Sequence, residues 1–257
     1  MIQNIVLFAN KQPGLEICEY LVSIGENISR LYILNFEDDY AKKIISASKL
    51  SSDKVFSAVS LKEQSHLNNL KKLDVDFMIT VYWPYLLTPT IFKISKNGCI
   101  NFHPALLPIN RGWFPHVHSI LDGTPTGATL HLIDEGTDTG SILVQKEVPL
   151  EFLDTSKSIY DKLQKEIILL FKENWSKIKN NELLPMPQDE SKAIYHKKSE
   201  IGDLDFIDLN KNYTAKDLIN ILRARSFGDK GFAYVVVNDQ KIYLNLRLSK
   251  QSEFETK

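Results

Sequence analysis

Apolar and polar positions alternate in short blocks through the first half of the chain, and the blocks switch between two periods. Residues 2 to 8 form an apolar run of strand length, and Gly14 to Ile24 follows with Leu15, Cys18, Leu21 and Val22 on one helical face. Leu31 to Asn35, Val55 to Val59 and Phe77 to Val81 read as further strands. Short, nearly uninterrupted apolar runs separated by helical stretches mark buried strands joined by crossovers. The pattern therefore predicts an α/β fold, a mainly parallel sheet covered on both faces.

After Val81 the pattern changes. Tyr82-Trp83-Pro84-Tyr85-Leu86-Leu87-Thr88-Pro89 is too rich in proline for a strand and too apolar for an ordinary surface turn, so it reads as the wall of a pocket. Gly98 to Phe102 gives a strand, Phe114 to Leu121 a short helix, and Thr126 to Ile133 and Ser141 to Pro149 two later strands. Thr155 is placed to cap a long amphipathic helix reaching Lys179, with Ile159, Leu163, Ile167, Leu170 and Phe171 at helical spacing. Asn180 to Ser191, with Pro185 and Pro187, breaks the regularity, so the expected division is a catalytic domain over 1–180 and a smaller region over 181–257. That appendage reads as α+β, with a helix over Ala215 to Arg225 and a hairpin of Phe232 to Val237 and Lys241 to Leu248 around Asn238-Asp239-Gln240.

Composition narrows the class. The chain has 257 residues, 43% of them hydrophobic, which is enough for a sizeable core. Lys and Arg number 31 against 32 Asp and Glu, so charge alone does not equip it to hold a polyanion, and no nucleic-acid partner is expected. Cys18 and Cys99 are too few for a disulfide framework and lack metal-ligand spacing. With no signal-peptide pattern and no run of roughly 18 apolar residues, the expected setting is the cytoplasm, without a membrane partner.

Three polar residues stand at the ends of predicted strands: Asn101 and His103 in Gly98-Cys99-Ile100-Asn101-Phe102-His103-Pro104, and Asp138 in Gly136-Thr137-Asp138-Thr139-Gly140. An amide, an imidazole and a carboxylate brought together can stabilise the oxyanion and move the protons of an acyl transfer. Other polar residues read more plainly. His116 and His118 lie two apart on a predicted helix, hence on different faces, and no metal is expected there. His131 alternates with apolar neighbours and reads as a satisfied core histidine.

Asn101-Phe102-His103-Pro104-Ala105-Leu106-Leu107-Pro108, then Arg111-Gly112, then Gly123-Thr124-Pro125-Thr126-Gly127-Ala128-Thr129-Leu130-His131 and Thr137-Asp138-Thr139-Gly140 together resemble the formyltransferases that use N10-formyltetrahydrofolate. The resemblance covers residues 1 to 150 well. It implies a Rossmann-like catalytic domain, Asn101, His103 and Asp138 as the catalytic residues, and no metal. It also implies that Tyr85, Leu86 and Leu87 of one loop and Ile133 and Asp134 of another hold the folate.

What surrounds the core resembles one branch of the family above the others. The glycinamide ribonucleotide branch opens on a glycine-rich loop and ends near the long helix, whereas Phe8 to Gly14 holds one glycine and nearly 80 residues follow Lys179. The deformylase branch carries an N-terminal regulatory domain, whereas here the first strand begins at Ile2. The initiator-tRNA branch carries a larger, basic C-terminal barrel. The tail segments Tyr195 to Glu200 and Leu218 to Phe227 resemble those of enzymes that formylate amino sugars carried on a nucleoside diphosphate, often dTDP-linked 3- or 4-amino-dideoxyhexoses for O-antigen or capsule. On this resemblance the partners are a folate and such a sugar nucleotide, the assembly is a homodimer, and Arg111, Trp113, Lys197, Arg225 and Phe227 are candidate substrate contacts. A short methionyl-tRNA formyltransferase and a catalytically idle binder of folate or nucleotide sugar are the alternatives.

Overall fold

The computed structural model describes residues 1–253. In chain order, β1 (Asn4–Ala9) leads through α1 (Lys11–Ser23) to β2 (Asn27–Ile33), α2 (Asp39–Ser48), β3 (Val55–Ser57) and α3 (Gln64–Lys71). Next come β4 (Phe77–Val81), α4 (Pro89–Phe92), β5 (Cys99–His103), the two-residue β6 (Arg111–Gly112), α5 (Pro115–Asp122), β7 (Gly127–Leu132) and β8 (Ile142–Glu147). The long α6 (Ser156–Lys179) precedes β9 (Tyr195–His196), α7 (Ala215–Ala224), β10 (Ser226–Phe227), β11 (Lys230–Gly231), β12 (Tyr234–Val237) and β13 (Gln240–Tyr243).

Seven strands form one sheet in the order β3-β2-β1-β4-β5-β7-β8. The first five are parallel, and β7 runs antiparallel to β5. This is the expected α/β architecture, a Rossmann-like mainly parallel sheet with small C-terminal hairpins. Spatial clustering divides the chain into two units that interleave along the sequence. One comprises Met1–His103, Ala128–Lys146 and Lys165–Gln188, and the other Pro104–Gly127, Glu147–Gln164 and Asp189–Lys257.

In the first unit the period of two along each strand sorts side chains onto two faces. Ile5, Leu7 and Ala9 of β1 join a core with Ile17, Cys18 and Leu21 of α1 and with Ile167, Phe171 and Trp175 of α6. Val6 and Phe8 point the other way, into a core with Leu70 of α3 and Ile91 and Phe92 of α4. Both faces are thus covered, which is why the strands carry apolar runs and not alternation. The strand expected at Leu31 begins at Asn27, because polar residues at its start still pair with β1 from Asn4 onward. The strand expected to reach Val59 stops at Ser57, on a sheet edge where β2 supplies three partners. No helix was expected at α2, whose start is set by the Asp38 carboxylate accepting from the Tyr40 and Ala41 N–H groups at 2.9 and 3.0 Å.

The second unit has its own apolar clusters. Val117 and Ile120 of α5, Val148, Ile159, Leu163 and Ala224 make one, and Ile207, Ala233 and Val235 make the other with Leu218, Ile221 and Leu222 of α7. Its hairpin pairs Tyr234 to Val237 with Gln240 to Tyr243. The αL residues Asn238 and Asp239 make the two-residue turn, as their short polar side chains allow. No helix among the described residues is long and apolar enough to cross a membrane.

One buried charge ties α6 to the first strands. The Glu26 carboxylate, its side chain 1% exposed, accepts from the Lys179 ammonium at 2.7 Å, the Trp175 indole N–H at 3.0 Å and the Gln3 main-chain N–H at 2.5 Å. Burial pushes its pKa up, but the three donors outweigh that and hold it below the ordinary glutamate value. The stabilisation is therefore complete above the unfolded-state pKa and lost as pH falls through the folded one. Glu26→Gln is expected to cost about 3 kcal/mol at pH 7. Denaturant melts at pH 7 and again below the carboxylate range check this, with the gap between variant and wild type narrowing at the lower pH.

Candidate active site

Polar residues stand next to one another across β4, β5 and β7. Register places Thr80 of β4 beside Asn101 of β5, and Asn101 directly opposite His131 of β7. All three lie on the face opposite Ile79, Ile100 and Leu130, which belong to the α1/α6 core. The Thr80 hydroxyl donates to Asn101 Oδ1 at 2.8 Å, and the Asp138 carboxylate on the other side, an acceptor only, decides which end of the amide faces it. The NH2 end faces His131 Nε2 at 3.1 Å and Asp138 Oδ1 at 3.3 Å. His131 Nδ1 lies 2.8 Å from the Leu132 carbonyl, an acceptor only, so this nitrogen carries the proton. In the neutral ring Nε2 is then the lone-pair side, turned toward Asn101.

His103, two residues along β5, stands on the same face as Asn101, which is the consequence of the Asn-x-His spacing. Its Nδ1 is 3.4 Å from Asp138 Oδ2. One carboxylate thus meets the imidazole with one oxygen and the amide with the other, and His131 Nε2 is 3.5 Å from that second oxygen. His103 is 4% exposed and His131 1%. In such surroundings, charges and dipoles interact more strongly than in water. The sequence-expected trio is therefore brought together. His131 is satisfied and buried as expected, but its partners are the trio itself. Only the β5/β7 register puts it opposite Asn101, and register is not visible in a run of alternating residues.

Asp138 comes from a built loop. The Asp134 carboxylate accepts from the Gly136 N–H at 3.0 Å and the Thr139 hydroxyl at 2.5 Å, closing the turn. Asp138 itself has φ of 55°. Gly140 packs so closely that a Cβ there would sit 1.8 Å from the Leu132 carbonyl oxygen.

The residues expected to hold a folate fall on two loops of this unit. Tyr85 and Leu86 are exposed at 60% and 77%, beside Trp83, which packs edge-on against Phe8 and Tyr85. Leu87 is buried with Ile91 and Phe92, and Ile133 packs on the same cluster, so both side chains serve the core. The loop start is pinned by the Asn10 side chain, which donates to the Tyr82 carbonyl at 3.1 Å.

The five candidate substrate contacts all lie in the second unit. Arg111 is buried, with both terminal nitrogens on the Glu190 carboxylate at 2.9 and 2.7 Å. Trp113 lies beneath the Lys198 ammonium at 4.8 Å, and Lys197 is exposed. Arg225 pairs with Asp205 and stacks over Phe232 at 4.9 Å. Phe227 meets Tyr160 edge-on at 5.5 Å, and Tyr160 meets His116 at 5.2 Å. His118, Asp122 and His196 bring ligand atoms within 4.8 Å of one another. The two rings, however, stack at 3.5 Å and 7°, so their in-plane lone pairs run parallel and do not converge on one ion. Burial and then the neighbouring His196 push the His118 pKa down to about 4.

Comparison with known proteins gives a consistent set. The Formyl transferase family profile matches residues 36–171, and the N-formyltransferase dimerization C-terminal domain matches 200–250. The chain is 33% identical over 166 residues to a dTDP-4-amino-4,6-dideoxyglucose formyltransferase of Mycobacterium bovis, covering 63% of this chain and 69% of that protein. It is 39% identical over 127 residues to a methionyl-tRNA formyltransferase of Synechococcus, covering 49% of this chain and only 39% of that protein. A solved 4-N formyltransferase from Francisella tularensis aligns with TM-score 0.84 at 26% identity, covering 96% of this chain and 98% of that one.

Because the Leu132 carbonyl leaves no room for a Cβ at Gly140, Gly140→Ala is expected to lower stability by about 1–3 kcal/mol as the loop shifts. A chemical melt of the variant checks this, and an unchanged midpoint contradicts the packing described.

Proposed function

The chain belongs to the formyl transferase family, and from that premise we propose that it transfers a formyl group from N10-formyltetrahydrofolate to the amine of a sugar carried on a nucleoside diphosphate. The observation that carries the reading is the single Asp138 carboxylate shared between His103 Nδ1 and Asn101 Nδ2. Attack of a neutral amine on a formyl carbon creates a negative oxygen and a protonated nitrogen at one centre. Protonated His103 is a donor for that oxygen, and the Asn101 amide becomes one by exchanging its longer, 3.3 Å contact with Asp138 for it. Asp138 favours the protonated imidazole, orients it, and assists removal of the amine proton. Thr80 and His131 fix the amide so that its donor end is already turned when substrate arrives.

The acceptor is assigned by likeness and by surface chemistry. The Mycobacterium relative acts, by its name, on a dTDP-linked 4-amino sugar, and the chain covers over two thirds of it. The exposed Lys197 and the Lys198 ammonium over Trp113 offer cationic and aromatic surface suited to a diphosphate and a base. Homodimerisation through the C-terminal region is part of the same proposal, supported by the domain match over 200–250 and by the exposed apolar positions Val236, Val237, Ile242 and Tyr243 on the hairpin. The product would supply N-formylated sugar for surface polysaccharide in the cytoplasm.

The identity to a methionyl-tRNA formyltransferase favours a second reading, formylation of charged tRNA. A chain of net charge −1 offers no general surplus for a phosphate backbone, and that reading requires salt-sensitive tRNA binding. Incubation with formyl donor and either dTDP- or UDP-linked amino sugars or Met-tRNA separates the two. Formylated sugar by mass spectrometry is the expected result, and formylated Met-tRNA alone overturns the assignment.

Within the site, His103→Asn and Asp138→Asn are each expected to lower kcat by about 10²–10⁴ with little change in acceptor KM. Steady-state kinetics on variants with wild-type melting curves check this. Near-normal turnover in a folded His103→Asn contradicts the role given to the imidazole.

A further inference from the structure

Asp138 holds a left-handed backbone conformation, uncommon for non-glycine residues though more open to Asp than to most, with φ of 55°. At the same time its two carboxylate oxygens must meet His103 on one side and Asn101 on the other. A rotation of the adjoining peptide would relieve the first condition and break the second. The contacts of Asp134 with Gly136 and Thr139 brace the turn before and after Asp138, but they leave the Asp138 carbonyl itself untouched.

That carbonyl is held from elsewhere. The Gln188 side-chain NH2 donates to the Asp138 carbonyl at 2.8 Å and to the Gly140 carbonyl at 2.7 Å, so one amide spans both sides of the loop. Both partners are acceptors only, which settles the orientation of the carboxamide. Gln188 reaches them from a strap along the sheet edge, where Ile142 and Met186 exchange two N–H···O bonds of 2.8 Å. Pro187 stands between the strap and the clamp and limits their relative motion.

We propose that Gln188 is a positioning residue for the formyl transfer, acting on Asp138 through its main chain and touching no reacting atom. This rests on the reading of Asn101, His103 and Asp138 as the transfer machinery. The clamp keeps the peptide after Asp138 from flipping, and so keeps the carboxylate on His103 through the proton transfers.

Two variants test it, Gln188→Glu, which keeps the shape but at neutral pH has no donor, and Gln188→Met, which has neither donor nor charge. Both are expected to lose roughly ten- to a hundredfold in kcat, as small misplacements of a catalytic group do, with acceptor KM and melting temperature near wild type. As pH falls, a protonated glutamic acid regains one O–H donor, so the activity of Gln188→Glu relative to wild type rises while that of Gln188→Met stays flat. Amide hydrogen exchange over residues 136–140 is expected to quicken in both variants and not across the sheet. Wild-type kcat in both variants, a loss carried in KM alone, a flat pH ratio for both, or unchanged exchange each overturns the clamp. Absence of transfer by the wild-type protein, with quickened exchange in the variants, overturns the functional reading and leaves the clamp standing.

Discussion

Thr80, Asn101 and His131 lie side by side across β4, β5 and β7, and each is tolerable there because its neighbours in the row and the Ile100 and Leu132 carbonyls satisfy it. A buried polar group without a partner costs about 1–3 kcal/mol. Thr80 and His131 are both 1% exposed, so water cannot stand in for a missing neighbour. The row therefore constrains the register of β4, β5 and β7 together, since a slip of one residue would turn all of these side chains onto the opposite face. The same register sets Ile79, Ile100 and Leu130 against α1 and α6. Core and site are two faces of one strand alignment.

From that row the remaining geometry follows by short steps. Asn-x-His spacing carries His103 to the same face, and the loop after β7 returns Asp138 between the amide and the imidazole. The loop can do so because Gly140 admits the Leu132 carbonyl at a distance no side chain would allow, and because Asp138 accepts a left-handed backbone. The turn contacts of Asp134, the Gln188 amide on the Asp138 and Gly140 carbonyls and the tight packing at Gly140 hold the carboxylate in place before any ligand arrives.

Much of this was legible in the residues. Periodicity marked the strands β1, β4, β5, β7 and β8, and the ordered motif from Asn101 to Gly140 named the three polar residues that the fold gathers. Other features depend on information no local pattern holds. His131 looks like any inward residue of an alternating strand, and only its place opposite Asn101 gives it a partner in the site. Gln188 sits in a proline-rich stretch that reads as a boundary, and its reach back over some 50 residues is a tertiary fact. The units interleave because α5, the first turns of α6 and the C-terminal tail share apolar contacts, while the last turns of α6 pack on the sheet. Division of the sequence at one point cannot express that.

The central claim is that the row acts as one device, in which His131 matters because it holds Asn101. A double-mutant cycle on kcat reads this directly, using Asn101→Ala, His131→Ala and the pair, at saturating acceptor and donor. If the account is right, the double variant falls no further than the worse single variant, because either change alone already dismantles the row. Multiplicative losses in the double variant would mean that the two residues act independently, and would contradict it.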